Sequence, residues 1–513
     1  MNNLIKWGLP GLMTFSFANV MSQQINPMTE AVLRNYSEIL AENPKDYLTL
    51  YDRAYQYFTM GEYVRALSDI DMALEYTPEK DTDYRMSELS LKSDILSAQR
   101  NYTDAIQALN SALAINPTSQ PELYKLGNLY LVNNNPSEAL KAFQMLQRQN
   151  ARSQEAFYGM AKANAMMGKT DEANSLLEEV KNLGSNSITT YCRIGDLYAD
   201  MGNIKEATTN YIIAYTMDGA NNRPLDSLRA LFRQNPKEVL ATLNEIIGSS
   251  QQNSSLNYIK AILTYDAGLY AETEQACNQL LDTTEEKTPA LYRMKALSQL
   301  AQNKVQEAQE TIREAEALAP GNPAVLADKA EILMSTDSRG AYEAISTALA
   351  SSPDEESFML LAAQCAILAE KYPEAISLLN NLVLTNPSNG MALLLRGLAN
   401  AANKDEKAAT NDYTRAGNMH QGGDIKDIVI AAIGKSKAGK KLDAEGMIND
   451  AAAKVGTDKD GLYYIAVYYA QTGNLDKAKE YSDKALLNGY NNLYNLSANN
   501  NEPLFNLSPL YKK

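Results

Sequence analysis

The chain has 513 residues with 62 acidic against 47 basic side chains, a net charge of −15. That balance excludes a nucleic-acid binder, since phosphate contacts need clustered Lys and Arg and the sole cluster is Lys435, Lys437, Lys440 and Lys441. One histidine, His420, excludes multi-histidine metal centres and a Ser-His-Asp triad, and three widely spaced cysteines exclude a disulfide framework.

In chain order, Met1 to Ser22 carries one charge, Lys6, then an apolar stretch from Trp7 to Ala18 and small residues at Ala18 and Ser22. This reads as a secretory signal peptide cleaved after Ser22; its apolar run is short of the ~20 residues of a spanning helix. Thr29 to Asn43 places Val32, Tyr36 and Ile39 at helical spacing, a half repeat that caps the first full repeat.

From Tyr47 a pattern begins that recurs almost to the end. Leu50, Ala54 and Tyr57 share one helical face, Gly61 ends that helix, and Tyr63 to Tyr76 forms a second helix with Ala66 and Ala73 on one stripe before Pro78. The residue equivalent to Ala66 returns as Ala105, Ala139, Ala173, Ala207, Thr273, Ala308, Ala341, Ala375, Ala409, Ala444 and Ala478. The steps are 39, 34, 34, 34, 66, 35, 33, 34, 34, 35 and 34 residues, and the 66-residue gap has room for one degenerate copy. A fixed period of this length predicts stacked helix pairs, each burying its apolar face on the next.

These residues resemble the tetratricopeptide repeat family. The match runs through Tyr124, Gly127, Tyr130, Ala139 and Phe143, through Tyr191, Gly195, Tyr198, Ala207 and Tyr211, and through Leu462, Ala466, Tyr469, Gly473 and Ala478. It covers roughly Tyr47 to Asn492. Departures are Arg100 at a usual glycine position, five extra residues before Met86, and Asn222 to Asn253, which keeps the helices but loses the motif. The resemblance implies an all-α fold, a right-handed superhelical α-solenoid of stacked antiparallel helix pairs, about 13 of them. The expected organisation is signal peptide 1–22, cap 23–46, N-terminal array 47–221, degenerate repeat 222–253, C-terminal array 254–492 and capping tail 493–513. Seams rich in Gly, Asn, Ser or Gln lie at Gly219 to Pro224 and Gly248 to Ser255.

Catalytic, cofactor-binding and metal-binding residues are not expected. Gly434 to Lys441 approximates a phosphate loop but has Lys441 where a hydroxyl belongs and follows a helix, not a strand. Cys192, Cys277 and Cys365 lie 85 and 88 residues apart, too far along a stack to bridge, and read as buried small hydrophobes.

What remains is a binding surface. In the family, first helices line a concave groove through two positions one turn apart. Here those hold Tyr51 and Tyr55, Tyr124 and Asn128, Tyr158 and Lys162, Cys192 and Asp196, Tyr258 and Ile262, Leu394 and Leu398, and Tyr463 and Val467. Tyrosine is a favoured interaction anchor. One branch of the family clamps a C-terminal carboxylate with clustered Lys, Arg and Asn; Asn128, Lys162 and Arg193 are too scattered along the chain for that clamp. The expected function is a non-enzymatic scaffold, exported to a periplasmic or extracellular location, holding an extended peptide or envelope protein in its groove. The alternative is a substrate-recruiting platform or accessory subunit of an envelope enzyme or secretion complex. Nucleic acid and, once the signal is removed, membrane insertion are not expected.

Overall fold

The computed structural model describes residues 27–184, 187–249, 254–283, 287–419 and 424–490. The proposed signal peptide with Trp7, the turn holding His420, the middle of the Gly248 to Ser255 seam and the tail 493–513 lie outside them. Among the described residues every regular element is an α-helix. α1 (Pro27–Glu42) is followed by pairs: α2 (Tyr47–Thr59) and α3 (Tyr63–Tyr76), α4 (Thr82–Ala98) and α5 (Tyr102–Ile115), α6 (Gln120–Val132) and α7 (Pro136–Gln149), α8 (Gln154–Met166) and α9 (Thr170–Asn182), α10 (Ile188–Asp200) and α11 (Ile204–Met217), α12 (Asn222–Gln234) and α13 (Pro236–Ser249). Then come α14 (Ser254–Asp266) and α15 (Tyr270–Thr283), α16 (Pro289–Ala301) and α17 (Val305–Leu318), α18 (Pro323–Leu333) and α19 (Ser338–Ser351), α20 (Glu356–Leu368) and α21 (Tyr372–Thr385), α22 (Gly390–Ala402) and α23 (Glu406–Gly417), α24 (Ile425–Lys437) and α25 (Lys441–Lys454), α26 (Lys459–Gln471) and α27 (Leu475–Leu487). No described helix is long and apolar enough to cross a membrane.

Two compact blocks divide the chain, residues 1–242 and 243–513, with the division inside α13. Within each, the fold is an α-solenoid. A first helix packs on its own second helix, and that second helix on the next first helix, as in α2 to α5 of one block and α14 to α17 of the other. Successive first helices also touch, α6 with α8 and α10 with α12 in the N-terminal block, α16 with α18 and α22 with α24 in the C-terminal block. First helices are therefore the inner layer of each stack.

The spacing series is the core. Every member from Ala66 through Thr273 to Ala478 is fully buried, and each is the fourth residue of a second helix. Four residues later on that helix comes a side chain whose size complements the eighth residue of the paired first helix. Ala54 faces Ile70 in one core cluster. Where the first helix offers glycine, the second offers a ring: a Cβ on Gly127 would lie 2.6 Å from Phe143, one on Gly195 2.6 Å from Tyr211 and one on Gly397 2.5 Å from Tyr413. Phe143 is also reached from the next pair, since a Cβ on Gly159 would lie 2.5 Å from it.

Turns within pairs are equally regular. The middle residue of the three-residue turn is left-handed at Gly61, Gly168, Gly202, Gly268, Gly439 and Gly473, and also at Arg100, Asn134, Asn303, Glu370 and Lys404. The next N–H returns to a carbonyl of the first helix, Glu62 to Tyr57 at 2.9 Å and Lys371 to Ala366 at 2.8 Å, which satisfies a helix end that has no internal partner. The degenerate pair breaks this rule: a single residue, Asn235, separates α12 from α13. Fully buried Val239 takes the place of the small residue there, and half-buried Arg229 that of the first-helix Ala or Gly. Steps of 32 and 34 residues thereby replace the 66-residue gap.

The extra residues before Met86 mainly lengthen α4, which has 17 residues against 13 in α2. Arg85, in that extension, donates to the carbonyls of Leu74 and Thr77 and so caps α3. α1 takes the place of a second helix. Arg53 forks onto Asp69 at 2.7 and 2.8 Å and reaches Ser37 of α1, just as Arg396 forks onto Asp412 at 2.9 and 2.6 Å and reaches Asn380 of α21. The three cysteines are free and buried, and burial pushes the Cys277 and Cys365 thiols up to about 12. Gly434 closes on α23, where a Cβ would meet Gly417 N and Tyr413 O at 2.8 Å. Its glycine thus serves helix packing.

Candidate functional site

The fifth and ninth residues of a first helix lie one turn apart and project from the inner layer. On α2, Tyr51 is half-buried against the core around Leu50 and Ile70, while Tyr55 is 47% exposed. On α6, the Tyr124 ring tilts against Phe143 with centroids 6.4 Å apart. The Asn128 amide is turned back on its own helix, donating to Tyr124 O at 3.0 Å.

α8 and α10 build the densest polar surface. Tyr158 is buried; its hydroxyl donates to Arg193 O at 3.0 Å, and the Arg193 guanidinium lies over its ring at 4.1 Å from the centroid. Burial pushes the Tyr158 hydroxyl well above the usual tyrosine range. Lys162, one turn on, is 8% exposed. Burial lowers its amine, Asp200 opposes that, and Arg193 reinforces it. Asp196 accepts from the Tyr211 hydroxyl at 2.8 Å and from Arg223 at 3.2 Å. Cys192 is fully buried and contributes packing alone.

In the C-terminal block the same positions are mostly interior. Tyr258 is half-buried beside Cys277, Ile262, Leu394 and Val467 are buried, and Tyr463 is 4% exposed. Tyr463 stacks on Tyr490 with centroids 4.5 Å apart and planes 11° apart. Both line a cavity of about 430 Å³ with Asp424, Lys426, Asp458, Asp460 and Tyr464.

The expected wall is therefore open at Tyr55, half-open at Tyr51, Tyr124, Asn128 and Tyr258, and closed at Tyr158, Lys162 and Tyr463. Lys162 and Arg193, too scattered by sequence for a common cluster, are close enough for Arg193 to act on Lys162; Asn128 is committed to its own helix. The sequence reading missed Asp200 and Arg223, whose partners sit on neighbouring helices and leave no periodic signal. Among the described residues no group of three or more His, Cys, Asp or Glu is arranged to hold a metal. What this face offers is contact, through rings, hydroxyls and two cations fixed by packing.

Family models described as tetratricopeptide repeat match residues 96–165, 155–183, 188–221, 369–416 and 460–487. The chain is a tetratricopeptide repeat protein. Among curated relatives of this repeat protein, anaphase-promoting complex subunit 3 of Schizosaccharomyces pombe is 23% identical over 126 residues, 25% of this chain and 19% of that one. The chain thus spans about a fifth of that relative's length. Among solved structures, a tetratricopeptide repeat protein from Parabacteroides merdae is 17% identical, covering 56% of this chain and 98% of that one with a TM-score of 0.30. Yeast Tom70 is 14% identical, covering 86% and 92%, with a TM-score of 0.37.

Proposed function

We propose that this repeat protein is a non-enzymatic scaffold that is exported and holds an extended peptide or another envelope protein against the inner face of its first helices. The observation that carries the reading is the Tyr51 and Tyr55 pair. A large aromatic side chain stands 47% exposed on a rigid helix beside a second, half-buried ring. Apolar area with a hydrogen-bonding tip, fixed before binding, is what interaction anchors need.

The test is capture from envelope extract by the mature chain and by Tyr55→Ala. A partner that the parent retains and the variant loses supports the reading; equal retention, or none by either, rejects it for this face. Export has its own readout. Trp7 is the sole tryptophan, so protein purified from its native compartment should fluoresce as tyrosine alone. Tryptophan emission there would show that Met1 to Ser22 is retained.

A further inference from the structure

Cations on the first helices of the N-terminal block mostly have acceptors. Arg53 forks onto Asp69, Lys125 reaches Asp94 at 2.6 Å and Arg223 reaches Asp196. Lys162 and Arg193 differ. Lys162 is 8% exposed, and no described residue gives its amine a hydrogen bond or ion pair. Arg193 is held flat over Tyr158, and its Nε is buried without an acceptor. The acids nearby do not supply one: Asp196 is engaged by Tyr211 and Arg223, and Asp200 acts on Lys162 without reaching ion-pair distance.

Burying a cation without an acceptor is costly. In a chain of net charge −15, two adjacent unpaired cations on the inner face mark a place where an anion completes the bonding. The guanidinium presents a planar fork and the ammonium a point charge, which together suit one carboxylate. Inner-face residues continue on either side, Tyr124 on α6 and Arg223 on α12, so a segment laid along this face passes through the site instead of ending in it.

Resting on the groove reading above, we infer that Lys162 and Arg193 form a subsite for one acidic side chain, an aspartate or glutamate inside an extended segment of a partner protein. The probe is a library of random peptides, displayed on phage through their C-termini so that no free terminal carboxylate is present, panned against the full chain. Recovered peptides should share an Asp or Glu at one aligned position. A synthetic, C-terminally amidated copy should lose at least about tenfold in affinity when that residue becomes Asn or Gln. The same exchange should change little against Lys162→Met, while Lys162→Arg should restore the discrimination. The exchange on the peptide alters nothing in the protein, so a poorly folded Lys162→Met leaves the result readable.

Peptides that bind without a shared acid, or that bind equally after its removal, would overturn the subsite and leave the groove standing. A free-acid form of the peptide that binds through its terminus after loss of the side-chain carboxylate would assign the site to chain ends and overturn it too. Failure to recover any binding peptide would overturn the groove reading and the subsite with it.

Discussion

The contact between Gly127 and Phe143 shows how one residue sets the spacing of two helices. Phe143 is fully buried, and a methyl group on Gly127 would sit 2.6 Å from its ring. The ring cannot fold away from a rigid neighbour, so Gly127→Ala should cost roughly 1–3 kcal/mol in chemical denaturation. Phe143→Leu in the same chain should return part of that loss, since alanine opposite leucine is what Ala161 and Leu177 already provide one pair later. A double-mutant coupling within about 0.5 kcal/mol of zero would mean the two residues do not share this contact. Glu88 gives a second residue-scale consequence, set by protonation. It is fully buried, and burial raises its carboxyl, with Thr77 and Arg85 opposing. The Thr77 hydroxyl bonds both Ala73 O and Glu88 Oε1 but has one proton. Both contacts are satisfied when Thr77 donates to Ala73 and a neutral Glu88 donates to Thr77, which leaves the buried Oε2 as a carbonyl instead of a charged oxygen. A carboxyl raised in the folded state stabilises fully below its unfolded value, about 4.3, and that stability is lost as pH rises through the folded value. Glu88→Gln copies the neutral acid and does not titrate. Its denaturation midpoint should match the parent near pH ~4 and exceed it increasingly toward pH ~8; a constant offset across that range would reject a buried neutral Glu88.

At the scale of elements, the turn decides more than composition does. Glu370 has φ 60°, a conformation that costs an ordinary residue roughly 1–2 kcal/mol, while glycine there would give back about 0.5–1 kcal/mol in unfolded-chain entropy. Glu370→Gly should therefore stabilise the chain slightly, by up to about 1 kcal/mol, measured as an increase in denaturation midpoint; a decrease would mean that the Glu370 side chain supplies contacts worth more than the strain. The same geometry explains what could be read from sequence. Small residues at a fixed period are forced by helices that touch, so Ala66 to Ala478 announced the second helices and their buried faces directly. The pair α12 and α13 was hidden because two features changed at once: Val239 stands where Ala is usual, and a one-residue turn contracts the local period. The site was less legible for a related reason. Tyr158 stands at an inner-face position, yet Arg193, 35 residues on, closes over it, and a periodic pattern names positions without naming which neighbour folds across them.

Across the whole molecule, each pair touches only the pairs beside it, and the energetics should be correspondingly local. Tyr51→Ala removes a half-buried ring from the cluster of Leu50, Ala54 and Ile70. Amide exchange should quicken in α1 to α5 and stay unchanged in α20 to α27, whereas Tyr55→Ala, removing an exposed ring, should leave exchange unaltered throughout. Acceleration reaching α20 would show that the stack unfolds as one cooperative body. The ring of Phe143 has a different implication, for how such a chain could have grown by duplication. A copied 34-residue stretch containing α6 and α7 would carry Gly127 and Phe143 but leave Gly159 behind on α8. Inserted before a pair with alanine or a larger residue at that place, the copied ring would strike its new neighbour. The smallest heritable piece that keeps this contact intact is therefore three helices long, and shuffling single pairs within the array is selected against wherever a ring bridges two glycines.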